Sequence, residues 1–194
     1  MSQRVEKRFF LSQGRSSHAS QDRDAQGHLS RQAVHTGDSD HGRQHTQPAR
    51  WRLRCGAGSQ EAKLKAKVKN ENIDGVFFPG PKVPEELAVY YSLASCFVLA
   101  STIEQWGLVV NEAMACGLPV LVTKIAGAAD ELVESGVNGY TFDPFDITEL
   151  SELMVKMTNM DQEKRLQMGN ASQQKITPYS PEYFAENILK LINV

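Results

Sequence analysis

Apolar residues in this chain come in short runs set between charged or glycine-rich stretches. CFVLA, starting at Cys96, is apolar without a break, the pattern of a parallel strand covered on both faces. From Gly107 to Cys116 only Asn111 and Glu112 are polar, which predicts a helix buried nearly all round. Gly117 fits a left-handed helix stop, Pro119 forbids continuation, and VLVT restarts as strand. Upstream, WRLRC from Trp51 reads as a strand, GAGS as a turn and QEAKLKAKVKNEN as a charged surface helix. GVFFPG is a strand ended by Gly80 and Pro81. Pro84 then opens a helix, with Glu85 and Glu86 suited to its dipole and Leu87, Tyr90, Tyr91 and Ala94 on its apolar face. Downstream, AGAADELVESG predicts a short helix and GYTFD a strand. Asp146 and Glu149 make a capping-box-like start, after which Ile147, Leu150, Met154 and Met157 keep helical period. A last helix, SPEYFAENILKLI, opens with Pro181 after Ser180.

Strands alternating with helices predict an α/β fold: a Rossmann-like open parallel sheet with helices on both faces. Ligands of such sheets bind beyond the carboxyl ends of the strands, where the strand order reverses. Small residues collect at those ends, at Gly56 and Gly58, Gly80, Ser101 to Gly107 and Ala126 to Ala129, as a crevice closely approached by phosphate or sugar requires. The regular pattern spans 51–194 and predicts one domain there. Residues 1–50 are set apart as poorly structured, with a short strand suited to RVEKRFFL at 4–11 or, shifted, to 8–14. From Ser12 to Arg50 the large apolar residues are Leu29 and Val34, too little surface to offset the entropy of ordering.

A length of 194 residues and a net charge of -2 suit one domain and argue against a general polyanion binder, nucleic acid included. No apolar run is long enough for a membrane helix, and no signal-peptide core is present, so a cytoplasmic protein is expected, compatible with peripheral membrane association. Cys55, Cys96 and Cys116 each fall in an element predicted to be buried and suit reduced core thiols. The 5 histidines all precede Trp51; His41 and His45 have the spacing of a helical metal pair, but no helical pattern supports them. No metal and no cofactor is expected.

Two features carry chemistry. CGAGSQEA places Gly56 and Gly58 after a strand, like the start of a dinucleotide fingerprint, but Glu61 holds the third glycine position, and a tight strand-to-helix turn is the better account. In EQWGLVVNE, the Gly107 and Leu108 amides lie in the opening turn of a helix, where free N–H groups and the dipole favour an anion. Glu112 has no Lys or Arg nearby in sequence, and burying it unpaired costs roughly several kcal/mol. Ligand hydroxyls would satisfy it: a ribose diol at Glu112 and a hexose hydroxyl at Glu104. Both carboxylates capping backbone groups is the alternative.

STIEQWGLVVNEAMACGLPVLVT resembles the signature of the family-4 retaining glycosyltransferases (glycosyltransferase group 1), in which seven residues separate two glutamates ahead of an EAMACGLPV-type run. AGAADELV, GVNGYTFDP, the closing SPEYFAENILKLI and the upstream WRLRCGAGSQEAKLKAKV are similar to further stretches of that family. The resemblance implies the C-terminal, nucleotide-sugar-binding half of a GT-B fold, transferring a glycosyl group with retention from a nucleoside-diphosphate sugar. It implies that Glu104 faces the transferred sugar as the catalytic glutamate and that Glu112 holds the ribose hydroxyls. The amides of Gln105, Trp106, Gly107, Leu108 and Val109 would contact sugar hydroxyls and diphosphate, Gly56 would lie in the donor-binding turn, and the nucleotide base would lie near Lys82 to Pro84.

Three departures temper the activity it implies. Gln105 stands where the family has glycine. FFLSQGR resembles the family's opening strand and would make Arg15 a phosphate contact, but the lysine expected five residues later is Ser20, and 16–50 reads as a replaced segment, as in a frame-shifted or mis-started product. The acceptor-binding domain is absent, so the chain is expected to be truncated and incomplete without a separate acceptor-binding domain or chain. A non-catalytic nucleotide-sugar-binding or interaction module derived from that fold is the alternative; a nicotinamide-dependent oxidoreductase rests on CGAGSQ alone.

Overall fold

Six strands pair in parallel, in the order β3-β2-β1-β4-β5-β6. They are β1 (Lys7–Ser12), β2 (Trp51–Cys55), β3 (Val76–Phe77), β4 (Cys96–Leu99), β5 (Val120–Thr123) and β6 (Gly139–Phe142). The computed structural model describes residues 7–12, 51–55 and 59–192. Helices α1 (Glu61–Asn70), α2 (Pro84–Ser92), α3 (Leu108–Ala115) and α4 (Gly127–Leu132) connect strands, and α5 (Ile147–Asn159), α6 (Gln162–Ile176), a 3-10 turn (Thr177–Tyr179) and α7 (Pro181–Ile192) follow the last one. The open parallel α/β sheet expected from the pattern is the one observed.

The strand order reverses between β1 and β4, since chain order runs outward on both sides of that pair. Phe9 lies in register with both Leu53 of β2 and Cys96 of β4, so β1 sits at the centre of the sheet although the sequence pattern set residues 1–50 apart. Its bounds fall at Lys7–Ser12, overlapping both expected spans, 4–11 and 8–14, without matching either. The five histidines lie outside the described residues.

Unbroken apolar runs put alternate side chains on opposite faces of the sheet. Phe97, Leu99, Val120 and Val122 enter one cluster with Tyr91 of α2, Val110, Ala113 and Met114 of α3, and Leu132 of α4. Cys96, Val98 and Leu121 enter the other, with Leu150, Met154 and Met157 of α5 and Met168 of α6. Both faces are covered, as CFVLA and VLVT required.

Local signals placed most boundaries. Pro84 opens α2 after Val83, whose amide donates to the Glu86 carboxylate at 3.3 Å. Gly117 ends the α3 segment with φ 73°. Asp146 caps α5 by accepting from the Glu149 amide at 3.0 Å, but Glu149 reaches back to the Asp143 amide at 2.7 Å, so the box is closed one turn early. The Ser180 hydroxyl accepts from the Tyr183 amide at 3.1 Å at the start of α7.

Two expectations need correction. α6 was not foreseen: QEKRLQMGNASQQKI has scant apolar period, and only Met168, Gly169 and Ser172 are buried on it. Its local signal is Asp161, which caps it by accepting from the Lys164 amide at 2.7 Å. The second correction is α3, which is buried on one face only. Val110, Ala113 and Met114 are fully buried, whereas Leu108 is 68% exposed and Glu112, Ala115 and Cys116 also reach solvent. Its outer face mixes the apolar Leu108 and Ala115 with the polar Asn111 and Glu112. Cys96 is accordingly a core thiol and Cys116 is not. Burial pushes both thiols up, and at Cys116 the Glu112 charge adds to the effect.

Candidate functional site

The chain leaves the carboxyl end of β4 at Ala100, beside the point of reversal, and runs through Ser101–Trp106 to Gly107, which caps α3. Gly107 is in the left-handed region at φ 92°, and a Cβ there would lie 2.9 Å from Leu99 Cδ2 and 3.5 Å from Glu104 Cγ. Glycine therefore permits both the sharp entry to α3 and the close packing of the loop on β4. Glu104 lies against this turn, half-buried.

The loop is held by the following crossover. The Gly127 amide donates to the Gln105 carbonyl at 3.0 Å, and the Ala128 amide donates to the Trp106 carbonyl at 3.0 Å. A Cβ on Gly127 would stand 2.5 Å from the Gln105 oxygen. The small residues at Ala126 to Ala129 thus admit the chain's own backbone, where the sequence suggested close approach by ligand. Among the described residues no peptide bond is cis, and in a trans peptide plane C=O and N–H point opposite ways. With those two carbonyls turned toward α4, the amides of Trp106 and Gly107 face the other side of the loop. In α3 itself, the Val110 amide bonds to the Gly107 carbonyl at 2.8 Å, and the Leu108 and Val109 amides precede any intrahelical acceptor.

Glu112 is one turn on from Leu108 on the exposed face of α3. It is neither buried nor unpaired: the Tyr91 hydroxyl of α2 donates to its Oε2 at 3.0 Å. Tyr91 is 3% exposed, and burial first, then the Glu112 charge, then this hydrogen bond hold the phenol far above its usual range, so it stays a neutral donor. No spacing rule links positions this far apart, and the sequence reading missed Tyr91 as a partner.

Trp106 is committed on three sides. Its indole N–H donates to Asn111 Oδ1 at 3.0 Å, its ring lies 6.5 Å from that of Tyr179, and its carbonyl is taken by Ala128. Of the predicted residues, Trp106 and Leu108 line an open cleft of about 500 Å³ whose far wall is Tyr179, Tyr183 and Phe184. Glu104 and Glu112 are not in that lining. Lys82 donates to Glu86 at 3.4 Å and lies 5.6 Å over the Tyr90 ring, so its ammonium is held against α2. Arg15 and Gly56 lie outside the described residues. Asn138, in the GVNG stretch, is a buried structural tie: it donates to the Leu132 carbonyl and accepts from the Glu134 amide, both at 2.8 Å. Among the described residues no group of three or more His, Cys, Asp or Glu is placed to hold a metal, and no helix is long and apolar enough to cross a membrane.

The model of the family described as glycosyl transferases group 1 matches residues 43–175. The D-inositol 3-phosphate glycosyltransferase of Corynebacterium jeikeium is 33% identical over 116 residues, which is 60% of this chain and 27% of that protein. The TarM structure superposes with a TM-score of 0.74 at 21% identity, over 97% of this chain and 35% of that one. HepE of Anabaena, crystallised in complex with UDP-glucose, does so with a TM-score of 0.69 at 21% identity, over 96% and 49%. The fold matched is the C-terminal half of the GT-B architecture. The chain spans 27% and 32% of the length of the first curated relatives it matches.

Proposed function

The chain belongs to the group 1 glycosyl transferases, and from that membership we propose that it holds a nucleoside-diphosphate sugar for transfer of the glycosyl group, with retention, to an acceptor. Glu112 grips the ribose hydroxyls, and Glu104 faces the transferred sugar. Amides between Gln105 and Val109 receive the sugar hydroxyls and the diphosphate. Arg15 and Gly56, which the resemblance adds to the donor-binding set, are read as further phosphate and donor contacts.

One observation carries this reading. The loop after β4 stands beside the reversal of strand order, its Gln105 and Trp106 carbonyls drawn toward α4 and the opposing amides left for something else. Amides donate and carboxylates accept, which matches a diphosphate flanked by sugar hydroxyls. The positive end of α3 favours the diphosphate charge. Catalysis in such a site is positioning plus stabilisation of the leaving diphosphate. UDP-glucose in the complex of HepE makes uridine nucleotides the first probe. A separate domain or chain supplies acceptor recognition, and this chain alone binds donor weakly and does not turn over. It acts in the cytoplasm.

Titration calorimetry with UDP-, GDP- and ADP-sugars tests this. One of them is expected to bind, and Glu112→Gln to weaken it about tenfold through loss of a charge-assisted hydrogen bond. Equal affinity of the variant overturns the role of Glu112; robust turnover by the chain alone overturns its dependence on a partner. Ser20, where the resemblance expects a lysine, favours a second reading: a sugar-nucleotide-binding module without chemistry. Continued inactivity with an acceptor domain supplied in trans would favour that second reading.

A further inference from the structure

One oxygen of Glu112 is engaged before any ligand arrives. Tyr91 donates to Oε2 from a neighbouring helix, across 21 positions of sequence. The phenol is held from behind: Tyr91 is 3% exposed and meets Phe97 edge-on, with ring centroids 6.0 Å apart and planes at 66°. Core packing, not solvent, therefore sets where this hydroxyl sits. Glu112 itself stands on the exposed face of α3, where an unrestrained glutamate would exchange among rotamers.

We propose that Tyr91 is a positioning residue for ribose recognition, clamping Oε2 of Glu112 so that the carboxylate is already oriented when a nucleotide binds. The inference rests on the reading of Glu112 as the ribose-binding carboxylate. A carboxylate has about four lone-pair sites, and Tyr91 takes one, so Oε1 and the remaining site on Oε2 still serve the two hydroxyls of a vicinal diol. A side chain ordered in the free protein loses less conformational entropy on binding, which raises affinity without a new contact to the ligand. The gain applies only to ligands that use the carboxylate. A nucleotide without ribose hydroxyls is indifferent to it.

That difference supplies the test. Tyr91→Phe keeps the ring and its packing on Phe97 and removes the donor. The full chain is titrated calorimetrically with whichever of UDP, GDP or ADP the wild type binds most tightly, and with the 2′,3′-dideoxy form of that nucleotide. The variant should bind the ribonucleotide about threefold to tenfold more weakly, the effect of one hydrogen bond, and the dideoxy form unchanged. Equal weakening toward both forms means a merely structural role and overturns the clamp. Undiminished ribonucleotide binding by Tyr91→Phe, with loss in Glu112→Gln, also overturns it and leaves the reading of Glu112 standing. A wild type that binds neither form, or both alike, removes the ribose reading and the clamp with it. Should Tyr91→Phe fail to fold, NMR relaxation of the Glu112 side chain in the free wild-type protein should show one ordered rotamer; exchange among rotamers overturns the clamp.

Discussion

Helices α3 and α7 are both rich in apolar residues, and they end in opposite circumstances. In α3, Val110, Ala113 and Met114 are each 0% exposed. In α7, Phe184 is 68%, Leu191 75% and Ile192 69% exposed, and no described side chain is buried. The difference lies in connectivity. α3 runs between two adjacent parallel strands, β4 and β5, so a right-handed crossover must lay it on the sheet. α7 follows β6 without leading into another described strand, and it docks on no buried face of the sheet among the described residues. Apolar composition supplies a stripe to bury; a crossover between paired strands ensures that it meets the sheet, whereas helices after the last strand are buried only where, as in α5 and α6, they pack back on it.

The contrast can be broken at either end. Phe97, fully buried between the sheet and Tyr91, should cost about 3–5 kcal/mol when changed to alanine, as measured by urea denaturation. A loss below about 1 kcal/mol would mean that this cluster is not the centre of stability. Gly127→Ala should cost about 1–3 kcal/mol, because its Cβ would meet the Gln105 carbonyl at 2.5 Å and one of the two segments must move. It should also weaken nucleotide binding, since the same shift disturbs the loop amides. Wild-type stability with unchanged binding would show that the loop and α4 are not a rigid unit.

The core side of the comparison also predicts an alkaline limit. Tyr91 and Cys96 are both pushed up by burial. As pH rises through their ordinary values of about 8.5–10, the unfolded chain releases protons that the native chain retains, so stability falls with pH there. Below that window the contribution is fully present. Thermal melts between neutral and strongly alkaline pH should show the fall, and Tyr91→Phe should flatten part of it. The smallest effect is expected at the other pole: Phe184→Ser in α7 should change stability by less than about 0.5 kcal/mol. A large loss would mean that this face is covered when the chain is in solution.

Much of the site's location was legible in the sequence. The unbroken run CFVLA, the glycine at 107 and the helix after it place a loop at a strand end, and the resemblance attached roles to Glu104, Glu112 and the amides between. The pairings were not legible. Glu112 read as a buried carboxylate awaiting a ligand, and it is exposed with Tyr91 as its partner. Ala126 to Ala129 read as room for a ligand, and that room is filled by the Gln105 and Trp106 carbonyls. Trp106 read through its amide alone, and its indole is tied to Asn111 beside a cleft that neither glutamate lines.

The sequence by itself determined the alternation of strands and helices, the coverage of both sheet faces, and the caps at Gly117, Pro84, Asp146 and Ser180. Each depends on a period or a backbone preference acting over a few residues. Only the tertiary structure decided that β1 divides the sheet, that Tyr91 meets Glu112 and that α4 holds the loop before α3. Those contacts join segments far apart in the chain, and their geometry is set by strand register and crossover direction, which no local pattern encodes.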